Sequence, residues 1–250
     1  MGATDRSAPD VSGTAGASRA GNNLPVRLSR RRKLQSGTVT DPSFSAWLRE
    51  RCEPAWTGVV THPFAVAITT GDADMRRYLE QDYQFVDSFT ALLGAAVAAA
   101  DSYEARVPYG RFLGQVATAD EKTYFHRALA ELGGQAGTAA PEPVTGEFRR
   151  FMDEVRASQD YPRIVAVLCV AEWAYLGWAS RAARPLPASW VHREWIELHE
   201  GDEFRTWVGF LRGELDRLAA GLDGRRRQEV LQTFARTVEL ERAFFDMSAG

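Results

Sequence analysis

Apolar residues recur every three or four positions along most of this 250-residue chain, which is the spacing of one face of an α-helix. No convincing stretch alternates apolar and polar residues as a β-strand does. Gly and Pro interrupt the pattern, as at Gly133-Gly134 and at Asp160-Tyr161-Pro162. The predicted fold class is therefore all-α, a single-domain helical bundle. Its predicted helices cover 43–52, 61–69, 72–100, 106–133, 145–158, 161–183, 188–199, 202–220 and 223–248.

The first 40 residues have a different composition from the rest of the chain. They are rich in Gly, Ala, Ser, Asp and Arg and contain few large apolar residues. Such a segment cannot bury enough surface to offset its ordering entropy. We therefore predict a disordered basic tail over 1–40, followed by a helical domain over 41–250. The basic run at 27–33 has two interpretations, a docking segment for an acidic partner or a solvated, frayed terminus, and the second is favoured.

Charge and cysteine content narrow the possible functions. A net charge of -3, from 30 basic and 33 acidic residues, argues against a nucleic-acid partner, which needs concentrated positive charge. Cys52 and Cys169 lie far apart and belong to no CxxC motif, so a reducing, cytoplasmic location is favoured. The sequence contains neither an apolar run of about 20 residues nor a secretory signal, so no membrane association is predicted.

Three acidic residues fall on apolar helix faces. Asp82 lies within the apolar stripe of the helix predicted over 72–100, Glu172 within that of 161–183, and Glu241 within that of 223–248. Buried carboxylates need partners or change their protonation state. Each acid alone is better explained by a structural hydrogen-bond network. Three on separate helices together favour a polar pocket inside the bundle.

Aromatic residues accompany each of these acids. Phe85 and Phe89 follow Asp82, Tyr175 follows Glu172, and Phe244 follows Glu241. Aromatic stripes alone usually form core, but beside carboxylates they suit a small, planar, nitrogen-rich ligand. The rings can stack on its faces while the acids accept hydrogen bonds from its amino groups.

The sequence supports a metal site or a nucleophilic residue less well than it supports a carboxylate pocket. The four histidines never follow a Glu at the Glu-x-x-His spacing of di-iron helical bundles, so neither a metal nor another cofactor is predicted. The sequence has no Gly-rich phosphate loop and no GxSxG motif. Cys169 could be a nucleophile, but its apolar neighbours favour a buried structural residue.

Four short motifs follow one another over about 43–248. They are His62-Pro63-Phe64, Tyr78-Leu79-Glu80-Gln81-Asp82-Tyr83, Trp195-Ile196-Glu197 with Glu203-Phe204, and Glu241-Arg242-Ala243-Phe244-Phe245-Asp246-Met247. In this order they resemble the TenA/thiaminase II family, which has the haem-oxygenase-like helical fold and whose characterised members hydrolyse aminopyrimidine products of thiamin degradation. The resemblance implies an enzyme of thiamin salvage that takes a small pyrimidine substrate and forms dimers or tetramers.

The family nucleophile is absent from its usual place. The alignment puts Ala171 at the family cysteine and Cys169 two positions earlier, so the chain resembles a cysteine-lacking branch with a Glu followed three residues later by Tyr, here Glu172 and Tyr175. That branch is linked to amine or amide hydrolysis on aminopyrimidines. A second departure is His199, where many members have Tyr.

The resemblance and the pocket together suggest a role for each residue. Glu241 is the predicted acid/base, Glu172 its partner, and Tyr175 donates to an oxyanion or orders the water. Asp82 anchors the pyrimidine. Predicted substrate contacts are completed by Phe85, Phe89, His199 and Phe244.

The sequence is also compatible with two other functions. A non-catalytic module could bind a pyrimidine or another ligand for a regulatory or biosynthetic partner, and a di-metal oxidase could use the same fold. Ligand-induced stabilisation without turnover would indicate the first, and metal analysis of the purified protein would test the second. Trp190 and Trp207 are predicted to be exposed and could cover an oligomer interface.

Overall fold

The helical spacing of the sequence is realised in a computed structural model, which describes residues 42–118 and 120–249, without the side chains of 118 and 120–122. The described residues contain no strand, and no helix among them is long and apolar enough to cross a membrane. The all-α prediction is confirmed. The helices are α1 (Phe44–Arg51), α2 (Ala55–Val60), α3 (Pro63–Thr70), α4 (Met75–Ala99), α5 (Tyr103–Thr118), α6 (Asp120–Glu131), α7 (Pro143–Ser158), α8 (Tyr161–Ala179), α9 (Trp190–Leu198), α10 (Asp202–Leu218) and α11 (Gly224–Ala249), with a short 3₁₀ turn at Ala219–Gly221.

Local capping explains several helix boundaries. The side chain of Asp74 accepts a hydrogen bond from the Arg76 amide at 3.1 Å and starts α4. Asp160 caps α8 in the same way, and Pro162 occupies its first turn. Gly133, just beyond α6, has a φ of 71°, a left-handed conformation that glycine adopts without strain.

Helix α8 forms the centre of the bundle. Nearly all of its residues are buried, because α2, α4, α10 and α11 pack around it. This explains why its sequence is apolar on nearly every face. Helix α4 in turn packs against α5, α7 and α8, so the helices that carry Asp82 and Glu172 are neighbours.

One helix was missed by the sequence pattern. The helix predicted over 106–133 corresponds to α5 and α6, which are helical up to 118 and again from 120, on either side of residue 119, which lies outside the described residues. Helix α2 was not predicted, because six residues are too few to show a helical period. The predicted tail at 1–40 lies outside the described residues and stays a prediction.

The prediction of two exposed tryptophans was also wrong. Trp207 is only 6% exposed, because it stacks on Phe112 at a centroid distance of 4.2 Å and contacts Tyr109 and Phe210. Trp190 is half-buried under the Arg127 guanidinium, 5.0 Å from its ring centroid. Both residues are therefore engaged within the chain.

Candidate active site

A cavity of about 450 Å³ lies between α4, α5, α8, α9 and the start of α10. Its volume exceeds that of a single pyrimidine ring, so a substituted ring can enter. The wall combines carboxylates, an imidazole, a phenol and several aromatic rings. The lining residues are Asp82, Phe85, Val86, Phe89, Arg111, Phe112, Gly114, Gln115, Val116, Ala171, Glu172, Tyr175, Trp195, Leu198, His199, Glu203 and Phe204.

Most of the predicted site residues meet at this cavity. Asp82, Phe85 and Phe89 reach it from α4, Glu172 and Tyr175 from α8, and His199 from the end of α9; Glu241 and Phe244 do not line it. All three predicted acids are buried, with Asp82 4%, Glu172 7% and Glu241 1% exposed. The helical period therefore predicted the burial of each acid correctly.

Glu241 lies in a fully buried position on α11, and one of its oxygens, Oε1, has no hydrogen-bond partner among the described residues. Burial, and next the negative charge of Asp82, raise the pKa of Glu241 well above its usual value. The raised pKa favours the protonated, neutral form of this carboxyl over its charged form. Glu241 can therefore store a proton beside the cavity.

Tyr175 shares a buried hydrogen bond with Tyr78. Their hydroxyl oxygens are 2.7 Å apart, and either can be the donor. Burial first, then the charges and hydroxyls nearby, raise the pKa of Tyr175 well above its usual value, so the phenol keeps its proton. Tyr78 was not predicted as a site residue because its place in an apolar stripe made it look like ordinary core.

His199 has a defined tautomer. Its Nδ1 lies 2.8 Å from the carbonyl oxygen of Trp195, which can only accept, so Nδ1 carries the hydrogen. Burial lowers the pKa of His199 to about 4, against the opposing effect of the Trp195 hydrogen bond. The imidazole is therefore neutral at pH 7 and its Nε2 bears a lone pair.

Other aromatic rings pack against the cavity residue Phe85. Phe85 stacks with Phe89 at 5.7 Å and meets Phe148 edge-on at 4.9 Å. Phe244, predicted to touch substrate, instead lies behind Phe85 at a centroid distance of 6.3 Å. Its packing can hold the Phe85 ring in a fixed orientation for stacking on a ligand.

The sequence-based search missed the polar residues of the cavity on α5 and α10. Arg111 and Gln115 are exposed and one helical turn apart, and Gln115 Nε2 is 3.5 Å from Glu203 Oε2. Their spacing beside Phe112 was the available signal, but the polar residues of α5 look like a solvated helix face. Glu203 was noticed only as part of a motif.

Cys169 does not reach the cavity. Its side chain is fully buried in α8, and burial raises the pKa of its thiol far above the ordinary value. A thiol in this state is a poor nucleophile. Among the described side chains, no group of three or more His, Cys, Asp and Glu residues is arranged to hold a metal ion.

Replacing Cys169 by Ala is therefore expected to leave catalytic turnover within about twofold of the parent, since the thiol neither lines the cavity nor ionises readily. The expected stability cost is on the order of 1 kcal/mol, for a small change in a packed core. Steady-state kinetics and thermal unfolding measure both quantities. A loss of activity without unfolding would make Cys169 the nucleophile.

The fold and the cavity define a helical protein with an acidic, aromatic-walled small-molecule site. The chain belongs to the TENA/THI-4/PQQC family, which it matches over residues 49–250, and this confirms the family predicted from the motifs.

The individual proteins that this chain resembles share less than a quarter of their residues with it. The aminopyrimidine aminohydrolase of Halalkalibacterium halodurans is 24% identical over 216 residues, covering 82% of this chain and 95% of that protein. The Helicobacter pylori protein of the same name is 21% identical over 212 residues, covering 82% and 97%. A solved TenA homologue from P. horikoshii superposes with a TM-score of 0.73 at 21% identity, covering 83% of this chain and 98% of that one, which supports the fold alone.

Proposed function

We propose that this protein is an aminopyrimidine aminohydrolase of thiamin salvage. Its substrate is a 5-aminomethylpyrimidine, or the N-formyl derivative, produced by thiamin degradation. The observation that carries this proposal is the aromatic-walled cavity into which α4 and α8 direct Asp82, Glu172 and Tyr175. The names of the two aminohydrolase relatives support the same reaction class.

Substrate binding uses the α4 side of the cavity. Asp82 accepts hydrogen bonds from the ring amino group and an adjacent protonated ring nitrogen, an arrangement that suits a carboxylate facing an amidine. Phe85 and Phe89 provide flat apolar surface against the ring. Because the cavity wall is mostly apolar, these few polar contacts fix the orientation of the substrate.

Hydrolysis needs one proton donor and one proton acceptor. Overall, water and the substrate amine give a hydroxymethylpyrimidine and ammonia: the carbon–nitrogen bond breaks and a carbon–oxygen bond forms. Glu241, whose raised pKa favours the protonated carboxyl, lies behind the cavity wall and supplies through one intervening water the proton that the departing nitrogen takes up. Glu172 receives the proton of the attacking water, and the Tyr175 hydroxyl orders that water or stabilises an oxyanion in amide cleavage.

The test is to incubate the purified protein with 5-aminomethylpyrimidine, its N-formyl derivative and thiamin, and to separate the products by chromatography. We expect release of hydroxymethylpyrimidine and ammonia, or of the free amine from the formyl compound, with thiamin untouched. Thermal stabilisation by the pyrimidines without any product would contradict the enzyme assignment and indicate a binding module.

We also infer that the protein acts in the cytoplasm as a homo-oligomer, a dimer or tetramer. Unpaired, buried Cys52 and Cys169 suit a reducing compartment. Exposed Tyr103 and Val107, one turn apart on α5, offer apolar surface for self-association. Light scattering of the purified protein tests the assembly, and a monomer at micromolar concentration would contradict it.

A further inference from the structure

The Nε2 atom of His199 is a hydrogen-bond acceptor with no role in the reaction proposed above. It is the residue that ends α9, is 8% exposed and lines the cavity. Since Nδ1 donates to the Trp195 carbonyl, the lone pair lies on Nε2. Among the described residues, Nε2 has no hydrogen-bond partner. An acceptor that a ligand covers on binding favours a ligand that brings a donor to it and disfavours one that does not.

The imidazole is held in this state by its neighbours. Its ring centroid lies 4.4 Å from that of Trp195, 4.9 Å from Tyr175 and 5.1 Å from Phe204. These contacts leave little freedom for the ring to flip, and a flip would leave the Trp195 carbonyl without its hydrogen bond. Packing and hydrogen bonding therefore both oppose a change that would turn Nε2 from an acceptor into a donor.

The position of the ring identifies the part of the substrate that it meets. Tyr175, which His199 contacts, lies one helical turn from Glu172 on the same face of α8. Asp82, the proposed anchor of the ring amino group, projects from a different helix, α4. For a pyrimidine held by Asp82, a side chain directed at Glu172, Tyr175 and His199 places the bond to nitrogen beside these three residues.

We propose that His199 determines substrate specificity by accepting a hydrogen bond through Nε2 from an N–H on the nitrogen that leaves. This inference rests on the proposed function and narrows its substrate class. Primary amines and secondary formamides carry the required N–H. A tertiary amide, or the thiazolium nitrogen of thiamin, carries none and leaves Nε2 buried without a donor.

The experiment compares N-formyl-5-aminomethylpyrimidine with its N-methyl-N-formyl analogue, which differs by replacing the N–H with N–CH₃. Dissociation constants come from calorimetry and kcat/KM from product analysis, for the parent protein and for His199→Phe. In the parent we expect at least about tenfold preference for the N–H compound, the value of a buried acceptor regaining its donor. In His199→Phe this preference should fall to threefold or less.

Controls separate the outcomes. His126→Asn alters an exposed histidine and should keep the parent preference. His199→Gln, whose side-chain oxygen can still accept, should keep part of it and replaces the Phe variant if that one unfolds. Equal binding of both compounds by the parent would overturn the inference. So would an undiminished preference in His199→Phe, which would mean that the methyl group is excluded sterically. Both outcomes leave the proposed function intact. Failure of the parent to bind either compound would overturn the inference, and the proposed function would fall with it only if the parent also leaves 5-aminomethylpyrimidine unconverted.

Discussion

Glu241→Gln is expected to lower turnover of 5-aminomethylpyrimidine by a factor of about 10² to 10⁴, the usual contribution of a general acid. The amide has nearly the shape of the protonated carboxyl but has no acidic proton to give to the departing nitrogen. Substrate affinity should change little, because Glu241 does not line the cavity. Steady-state kinetics with calorimetric binding measures the two effects separately.

The matched control is Glu239→Gln, which removes an acid two residues away whose side chain is 62% exposed and paired with Arg236. It should leave kcat within about twofold, as expected of a surface ion pair. If Glu241→Gln keeps full turnover with unchanged affinity, Glu241 has no acid/base duty. The mechanism would then rest on Glu172 alone.

The same substitution should change how stability depends on pH. The folded-state pKa of Glu241 is raised, so the folded protein holds this proton more tightly than the unfolded chain does. That contribution is fully present below the unfolded pKa of the carboxyl and is lost as pH rises toward the folded value. Glu241→Gln cannot lose it. Its free energy of unfolding, relative to the parent, should therefore increase from pH 5 to pH 8 in denaturant titrations.

The helical period of the sequence was enough to predict which acids face inward. Asp82, Glu172 and Glu241 lie on stripes whose other members are apolar, and burial of an apolar stripe is the main force that orients a helix. The same reasoning could not tell that Glu241 lies behind the wall while Asp82 lies on it. That difference depends on how α4, α8 and α11 are spaced, which is a property of tertiary packing.

Other features of the site were hidden for different physical reasons. Trp207 looked exposed because its helix is rich in charged residues, yet aromatic neighbours on α5 and α10 cover it. Arg111 lines the cavity because α5 packs against α4 and α10, an arrangement of tertiary packing that the polar residues of α5 do not reveal. The tautomer of His199 depends on a carbonyl four residues earlier at a helix end, which no residue pattern encodes.

His199 should make the protein sensitive to acid. Its pKa is lowered from 6.5 to about 4 in the folded state, so the unfolded chain binds a proton more readily between these values. By linkage, the stability associated with the neutral imidazole is fully present above pH 6.5 and is lost as pH falls toward 4. The shift corresponds to ~3 kcal/mol if the unfolded histidine has its ordinary pKa.

Replacing His199 by Gln removes the titrating group while keeping a polar side chain of similar size. Between pH 7 and pH 4 the free energy of unfolding of the parent should fall by ~3 kcal/mol more than that of the variant. In the parent the unfolded imidazole binds a proton that the folded, buried imidazole does not, and the variant has no such group. Denaturant titrations at four or five pH values measure the difference. His126→Asn, at an exposed position, should follow the parent curve. Parallel curves for His199→Gln and the parent would mean that the imidazole is already solvated in the folded state, and the acceptor assigned to Nε2 would then be satisfied by water rather than held open for substrate.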